Sequence, residues 1–135
     1  MKTNWMILAA GISLGLAAPL LAHHSFAAEY DAAKQVKLKG VVAKVEWNNP
    51  HIWFYIDVKD DSGQTVRWQC EGGAPNSLVR QGWTRNSLKQ GDQVDVQGFL
   101  AKDGTHTANA RTVTLADGKR VFAGSADDGG PGTKQ

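Results

Sequence analysis

Four histidines carry most of the chemical potential of this 135-residue chain, and three of them stand at positions where the sequence could use them. His23 and His24 are adjacent, His51 ends the run Asn48-Asn49-Pro50-His51, and His106 lies between Thr105 and Thr107, where it reads as a surface residue. Imidazole nitrogen suits copper, zinc and related ions, and a square set of nitrogens favours Cu(II). If a leader is cut after Ala22, His23 becomes the first residue, and its free amine and imidazole can chelate one ion together. His24 or His51 would complete the nitrogen set, with Asn49 as a supporting hydrogen-bonding group. Copper is therefore the expected cofactor. The local alternative is that His23-His24 is an ordinary polar terminus and that Asn48 and Asn49 only satisfy turn backbone.

A second reading belongs to another class, a module that binds a protein or glycan. Trp53, Tyr55, Arg67 and Gln69 share the outward parity of two neighbouring strands, and aromatic rings beside polar groups make a stacking platform. Asn48 and Asn49 would border such a surface. The alternative is that the segment holding Phe26 and Tyr30 packs over these rings. An enzyme is not expected. Glu29, Asp31, Glu46 and Glu71 are scattered along the chain, and no Ser/His/Asp or Cys/His constellation can be read in it.

The elements that must position these residues follow from the pattern of the chain. Met1 to Ala22 carries Lys2, an apolar run from Trp5 to Leu16 and a helix-breaking Pro19, which is the form of a secretory signal peptide. Its apolar run is too short for a membrane span, so no stable span is expected after processing. Removing 22 residues from 135 leaves 113, enough for one domain. The whole-chain charge of +2 falls by one with Lys2, and no basic stripe is present, so nucleic acid is a poor partner and a metal ion or an exported protein a better one. The expected location is periplasmic or secreted. Cys70 is the only cysteine, so no disulfide forms within the chain, and its parity with Val66 and Trp68 marks it as a small buried hydrophobe.

Residues 23–35 read as an arm in which Phe26 and Tyr30, four apart, anchor a short helical turn. Ile52, Phe54, Ile56 and Val58 alternate with Trp53, Tyr55 and Asp57, the period of a strand with one buried face. In the preceding run Val36, Leu38 and Val42 share one parity and Val45 and Trp47 the other, so a bulge or bend falls between Gly40 and Lys44. Thr65 to Cys70 alternates again, and Pro75 to Gln81 forms a short helix closed by Gly82, with Leu78, Val79 and Trp83 over one end of the domain. Val94, Val96 and Leu100 point inward from a fourth strand, and His106 to Leu115 forms a fifth that Arg120-Val121-Phe122 can extend. Three strands, a helix and two strands, the first strand bent, is the order of a five-stranded OB-fold-like barrel, all-β with one short helix, over residues 36–123, the alternative being a small open sandwich of the same strands. From Gly124 to Gln135 no hydrophobic anchor remains, and a disordered tail is expected.

The stretches HHSFAAEYD, KGVVAKVEWNNPHIWFYIDV, WQCEGGAPNSLVRQGW and LKQGDQVDVQGF, with the closing LADGKRVF, resemble a family of small exported bacterial proteins known only as a domain of unknown function. His23, His24, Asn49, Pro50, His51, Gly82 and Trp83 match its paired histidines, its Asn-Pro-His turn and its Gly-Trp after the helix. The resemblance covers essentially the whole processed chain. It implies export and an OB-like fold, and it implies no particular activity.

Overall fold

The computed structural model describes residues 26–124 and 130–131. The expected leader at 1–22 lies outside them, as do His23 and His24. A short helix, α1 (Phe26–Glu29), leads into β1 (Tyr30–Glu46), β2 (Trp53–Lys59) and β3 (Thr65–Glu71). A second short helix, α2 (Pro75–Arg80), precedes β4 (Gln93–Ala101), β5 (Thr107–Leu115) and the brief β6 (Arg120–Phe122).

Five of these strands close a ring of hydrogen bonds. β1 pairs antiparallel with β2 on one side and with β4 on the other, β2 pairs with β3, and β4 with β5. A short parallel pairing of β3 with β5, at Gln69↔Thr107, Cys70↔Ala108 and Glu71↔Asn109, joins the ends. The arrangement is barrel-like and consistent with the OB-like order; β6 lies outside the ring, beside β5.

β1 serves both sides of the ring because it bends at Gly40. Gly40 is paired with Val58 of β2 and with Val94 of β4. A Cβ there would lie 2.5 Å from the Asp57 carbonyl oxygen, closer than any side chain tolerates. The register shift between Val42 and Lys44 follows at once and turns Val45 onto the core side, as the change of parity predicts.

Ile52, Phe54, Ile56, Cys70, Val96, Ala108, Ala110 and Val113 fill the interior. Leu78 of α2 is fully buried in the same cluster, joined by Trp83, whose N–H donates to the Leu78 carbonyl. Gly82, at φ +94°, makes the left-handed turn that ends this helix. Val79 does not help to cover the domain as the sequence suggests. It is 54% exposed, because a helix of only six residues can turn one side inward.

Two further expectations are corrected. The first strand starts at Tyr30, so residues 30–35 belong to β1 and not to a separate arm. Their alternation is obscured because the pairing with β4 is irregular between Tyr30↔Ala101 and Gln35↔Phe99. In β4, Leu100 is only half-buried, whereas Phe99 and Ala101 are buried on the other side of the strand with Phe26 and Tyr30. Most of the expected tail, residues 125–129 and 132–135, lies outside the described residues. Gly130 is buried, and a Cβ on it would fall 1.6 Å from Arg111 Nη2, so it docks through lack of a side chain and not through an apolar anchor.

Candidate functional site

His51 is held in place by glycines. Ile52 donates its N–H to the Gly73 carbonyl at 3.0 Å, and Gly72 donates back to the Ile52 carbonyl at 2.9 Å. A Cβ on Gly72 would stand 2.6 Å from Ile52 Cγ1, so this approach needs glycine. The run Glu71-Gly72-Gly73 therefore lies tight against the exit of the Asn-Pro-His turn, whose Asn49–Pro50 peptide is cis. The consequence is that His51 and Glu71 meet.

His51 Nδ1 lies 2.5 Å from Glu71 Oε1, and the two side chains keep only 16% and 9% of their surface exposed. The other carboxylate oxygen, Oε2, accepts from the Tyr30 hydroxyl. Burial, and then the bond to Glu71, push the Tyr30 phenol well above its ordinary range, so it stays a proton donor. A carboxylate beside Nδ1 favours a proton on that nitrogen, so the pair fixes the orientation of the ring.

Tyr30 belongs to a cluster on the outside of the ring. Its ring stacks on Phe26 at 5.8 Å between centroids, and Phe26 meets Phe99 edge-on at 5.3 Å. The guanidinium of buried Arg111 sits 4.9 Å from the Phe26 ring centre. Asn109, in register with Glu71 across the parallel pairing, is also buried, and its Oδ1 has no hydrogen-bond partner among the described residues. The segment from Phe26 to Tyr30 thus covers a patch of β3, β4 and β5 that is unusually polar for buried surface.

The residues singled out from the sequence separate into two places. Asn48 and Asn49 are exposed on the turn, and the group that reaches His51 Nδ1 is Glu71 and not Asn49. Trp53 and Tyr55 are half-buried on the outward face of β2, opposite Glu71 and Gln69. The Lys44 ammonium lies 5.5 Å from the Tyr55 ring centre and pairs with Glu46, to which the Tyr55 hydroxyl also donates at 3.2 Å. Arg67 is bound through Nε and Nη2 to Asp57 at 2.8 and 3.0 Å, which holds the Asp57 carboxyl below the usual range. Phe26 and Tyr30 pack on Phe99 and Ala101 and reach Glu71, so the expected cover over Trp53 and Tyr55 lies elsewhere.

His106 is exposed, as expected, with its ring 5.0 Å from that of Trp68. Cys70 is fully buried, and burial pushes its thiol up to about 12. Sequence reasoning missed Glu71 and Tyr30. Glu71 has the outward parity of Arg67 and Gln69, and nothing local marks it as buried. The one available signal is the Gly72-Gly73 pair beside it, a sign of close backbone approach.

Among the described residues no three His, Cys, Asp or Glu side chains gather where they could hold one metal ion. His51 and Glu71 are two members of such a group at most, and the other expected ligands, His23 and His24, fall outside the described residues. No helix among the described residues is long and apolar enough to cross a membrane.

No curated protein and no solved structure matches the chain. A family profile does match, over residues 12–110, a range that takes in His23, His24, Tyr30, His51 and Glu71. On that match the chain belongs to the Family of unknown function (DUF6152).

Proposed function

We propose that this is an exported binding protein, periplasmic or secreted, whose ligand is a transition-metal ion, with copper the first candidate. The observation that carries the reading is the 2.5 Å approach of Glu71 Oε1 to His51 Nδ1, the carboxylate–histidine pairing that commonly orients a ligating imidazole. His23 and His24 supply the remaining nitrogens. His24 precedes Tyr30 by six residues, a span of at most about 20 Å of extended chain, and the Tyr30 hydroxyl is bonded to the same carboxylate as His51. An amine at His23, exposed by cleavage after Ala22, adds a further nitrogen, and nitrogen-rich sets favour Cu(II). The protein acts by binding and carries out no reaction.

The test starts with the exported protein. Intact mass and N-terminal sequencing identify its first residue, and Cu(II) titration followed by electron paramagnetic resonance reads the ligands. A chain that begins at His23, gives a nitrogen-rich tetragonal spectrum, and loses it in His51→Ala or when one residue is added before His23 supports the reading. Copper bound no more tightly than by an unstructured His-His peptide sinks it. In that case the face of Trp53, Tyr55 and Arg67 becomes the surface to test for a protein or glycan, and His51→Ala leaves such binding intact.

A further inference from the structure

Arg111 is the extra residue of a bulge. The pairing of β5 with β4 passes from Gly98↔Ala110 to Gln97↔Thr112, and a residue inserted at such a point has its side chain re-aimed. The guanidinium goes to the cluster outside the ring, where it lies 4.9 Å from the centre of the Phe26 ring, and Arg111 is only 6% exposed. A guanidinium taken out of water needs acceptors close by, and main chain approaches most closely where it carries no side chain.

Gly130 brings such main chain. It is buried, and a Cβ added to it would collide with the Arg111 guanidinium and stand 2.8 Å from Phe26 Cδ2. One residue from the C-terminal part of the chain therefore covers both members of the Arg111–Phe26 contact. Pro131 forms one wall of a cleft of about 220 Å³ whose other walls include Val36 of β1, Gln97 and Phe99 of β4, and Thr112 of β5. The chain that leads to Gly130 is tied down at the same place. The Ala123 N–H donates to the Arg111 carbonyl at 2.9 Å, and the Ala123 carbonyl accepts from the Gly73 N–H at 2.7 Å. Gly130 follows Ala123 by seven residues, a reach of at most about 25 Å, so the chain can leave the backbone of Arg111 and return to its side chain within one molecule.

We propose that the outer face of the ring around Arg111 is a docking surface whose occupant is the chain's own Gly130-Pro131, and that this seat secures Phe26 and the N-terminal segment that runs on to Tyr30. The proposal goes beyond the metal reading and needs no part of it. The seat takes glycine at 130 because Arg111 and Phe26 leave no room for a methyl group. Proline beside it, with φ fixed, lowers the entropy that docking costs. Phe26 is then held on three sides, by Tyr30 at 5.8 Å, by Phe99 at 5.3 Å and by Arg111 with Gly130. Release of the C-terminal segment uncovers Arg111 and loosens Phe26.

The experiment compares the exported full chain, its Gly130→Val variant and a chain ended at Gly124, by amide hydrogen exchange over residues 26–30 at two protein concentrations. Exchange there is expected to quicken about fivefold or more in both variants, the low end of a typical coupling between two sites, and exchange in β2 to stay as it is. Free peptide of residues 125–135, added at millimolar level to the shortened chain, is expected to restore slow exchange. The same peptide carrying Gly130→Val is expected not to.

Exchange over 26–30 that is the same in all three chains overturns the proposal, as does equal rescue by the two peptides. Protection that falls when the full chain is diluted means that the segment docks on a second copy, and overturns it too. Should the shortened chain fail to fold, Gly130→Val decides by its exchange alone.

Discussion

Tyr30 and His51 are bonded to opposite oxygens of one buried carboxylate, that of Glu71, so the start of the first strand and the exit of the Asn-Pro-His turn share a single anchor. Tyr30→Phe keeps the ring packing and removes only the donor. The expected cost is about 1–3 kcal/mol, since it leaves a buried acceptor short of a partner. Urea denaturation at neutral pH measures this, and a change within experimental error would mean that water replaces the phenol without loss.

The same phenol sets an alkaline limit. Its proton is held in the folded state at pH values where the unfolded chain, with an ordinary tyrosine near about 10, gives it up. Stability from this group is therefore complete below about pH 10 and is lost as the pH rises beyond it. Denaturation midpoints followed from pH 8 to 11 should fall less steeply in Tyr30→Phe than in the wild type. Parallel slopes would remove Tyr30 as the cause.

Cys70 should be inert in the native protein. Burial raises its thiol to about 12, so almost no thiolate forms at pH 8, and no path of solvent reaches the sulfur. Alkylation by iodoacetamide is expected to be negligible when native and complete in denaturant. Rapid modification of the folded protein would show that the β3 edge of the ring opens. The sign of its linkage matches that of Tyr30: stability is present below the ordinary thiol range and is lost as the pH climbs towards about 12.

Adjacent residues of α2 should behave differently. Leu78 is fully buried and Val79 is 54% exposed. Leu78→Ala is expected to cost about 2–5 kcal/mol, whereas Val79→Ala should stay within about 0.5 kcal/mol of the wild type. Equal effects in thermal or urea unfolding would mean that the helix does not seat against the ring by this side.

Gly98 should resist even a methyl group. A Cβ there would lie 2.0 Å from the Asn109 carbonyl oxygen, at the register shift where β4 crosses from Gln97↔Thr112 to Gly98↔Ala110. Gly98→Ala is expected to cost about 1–3 kcal/mol or more, because backbone on both strands must move. A variant as stable as the wild type would place the strands farther apart than described here.

The metal reading could be seen in part without a structure. Two histidines at the expected cleavage point and one in the Asn-Pro-His turn suggest nitrogen ligation by their chemistry alone. What made His51 more than a turn residue could not be seen. Its carboxylate partner is 20 residues away and the phenol beyond it a further 41 from that partner, so neither contact has a local signal.

Local pattern determined a great deal about this protein: the two-residue period of β2 and β3, the bend of β1 near Gly40, the end of α2 at Gly82, and the strand, helix and strand order that closes the ring. These depend on near neighbours along the chain, where side-chain parity and turn chemistry act directly. Only the tertiary structure decided that Glu71 is buried. By parity it faces outward with Gln69 and Arg67, and it loses its water because Tyr30 folds over the ring and Gly72 lets the His51 turn come close. Burial of that kind is a property of strands brought together by ring closure, so it arises only when segments far apart in sequence meet.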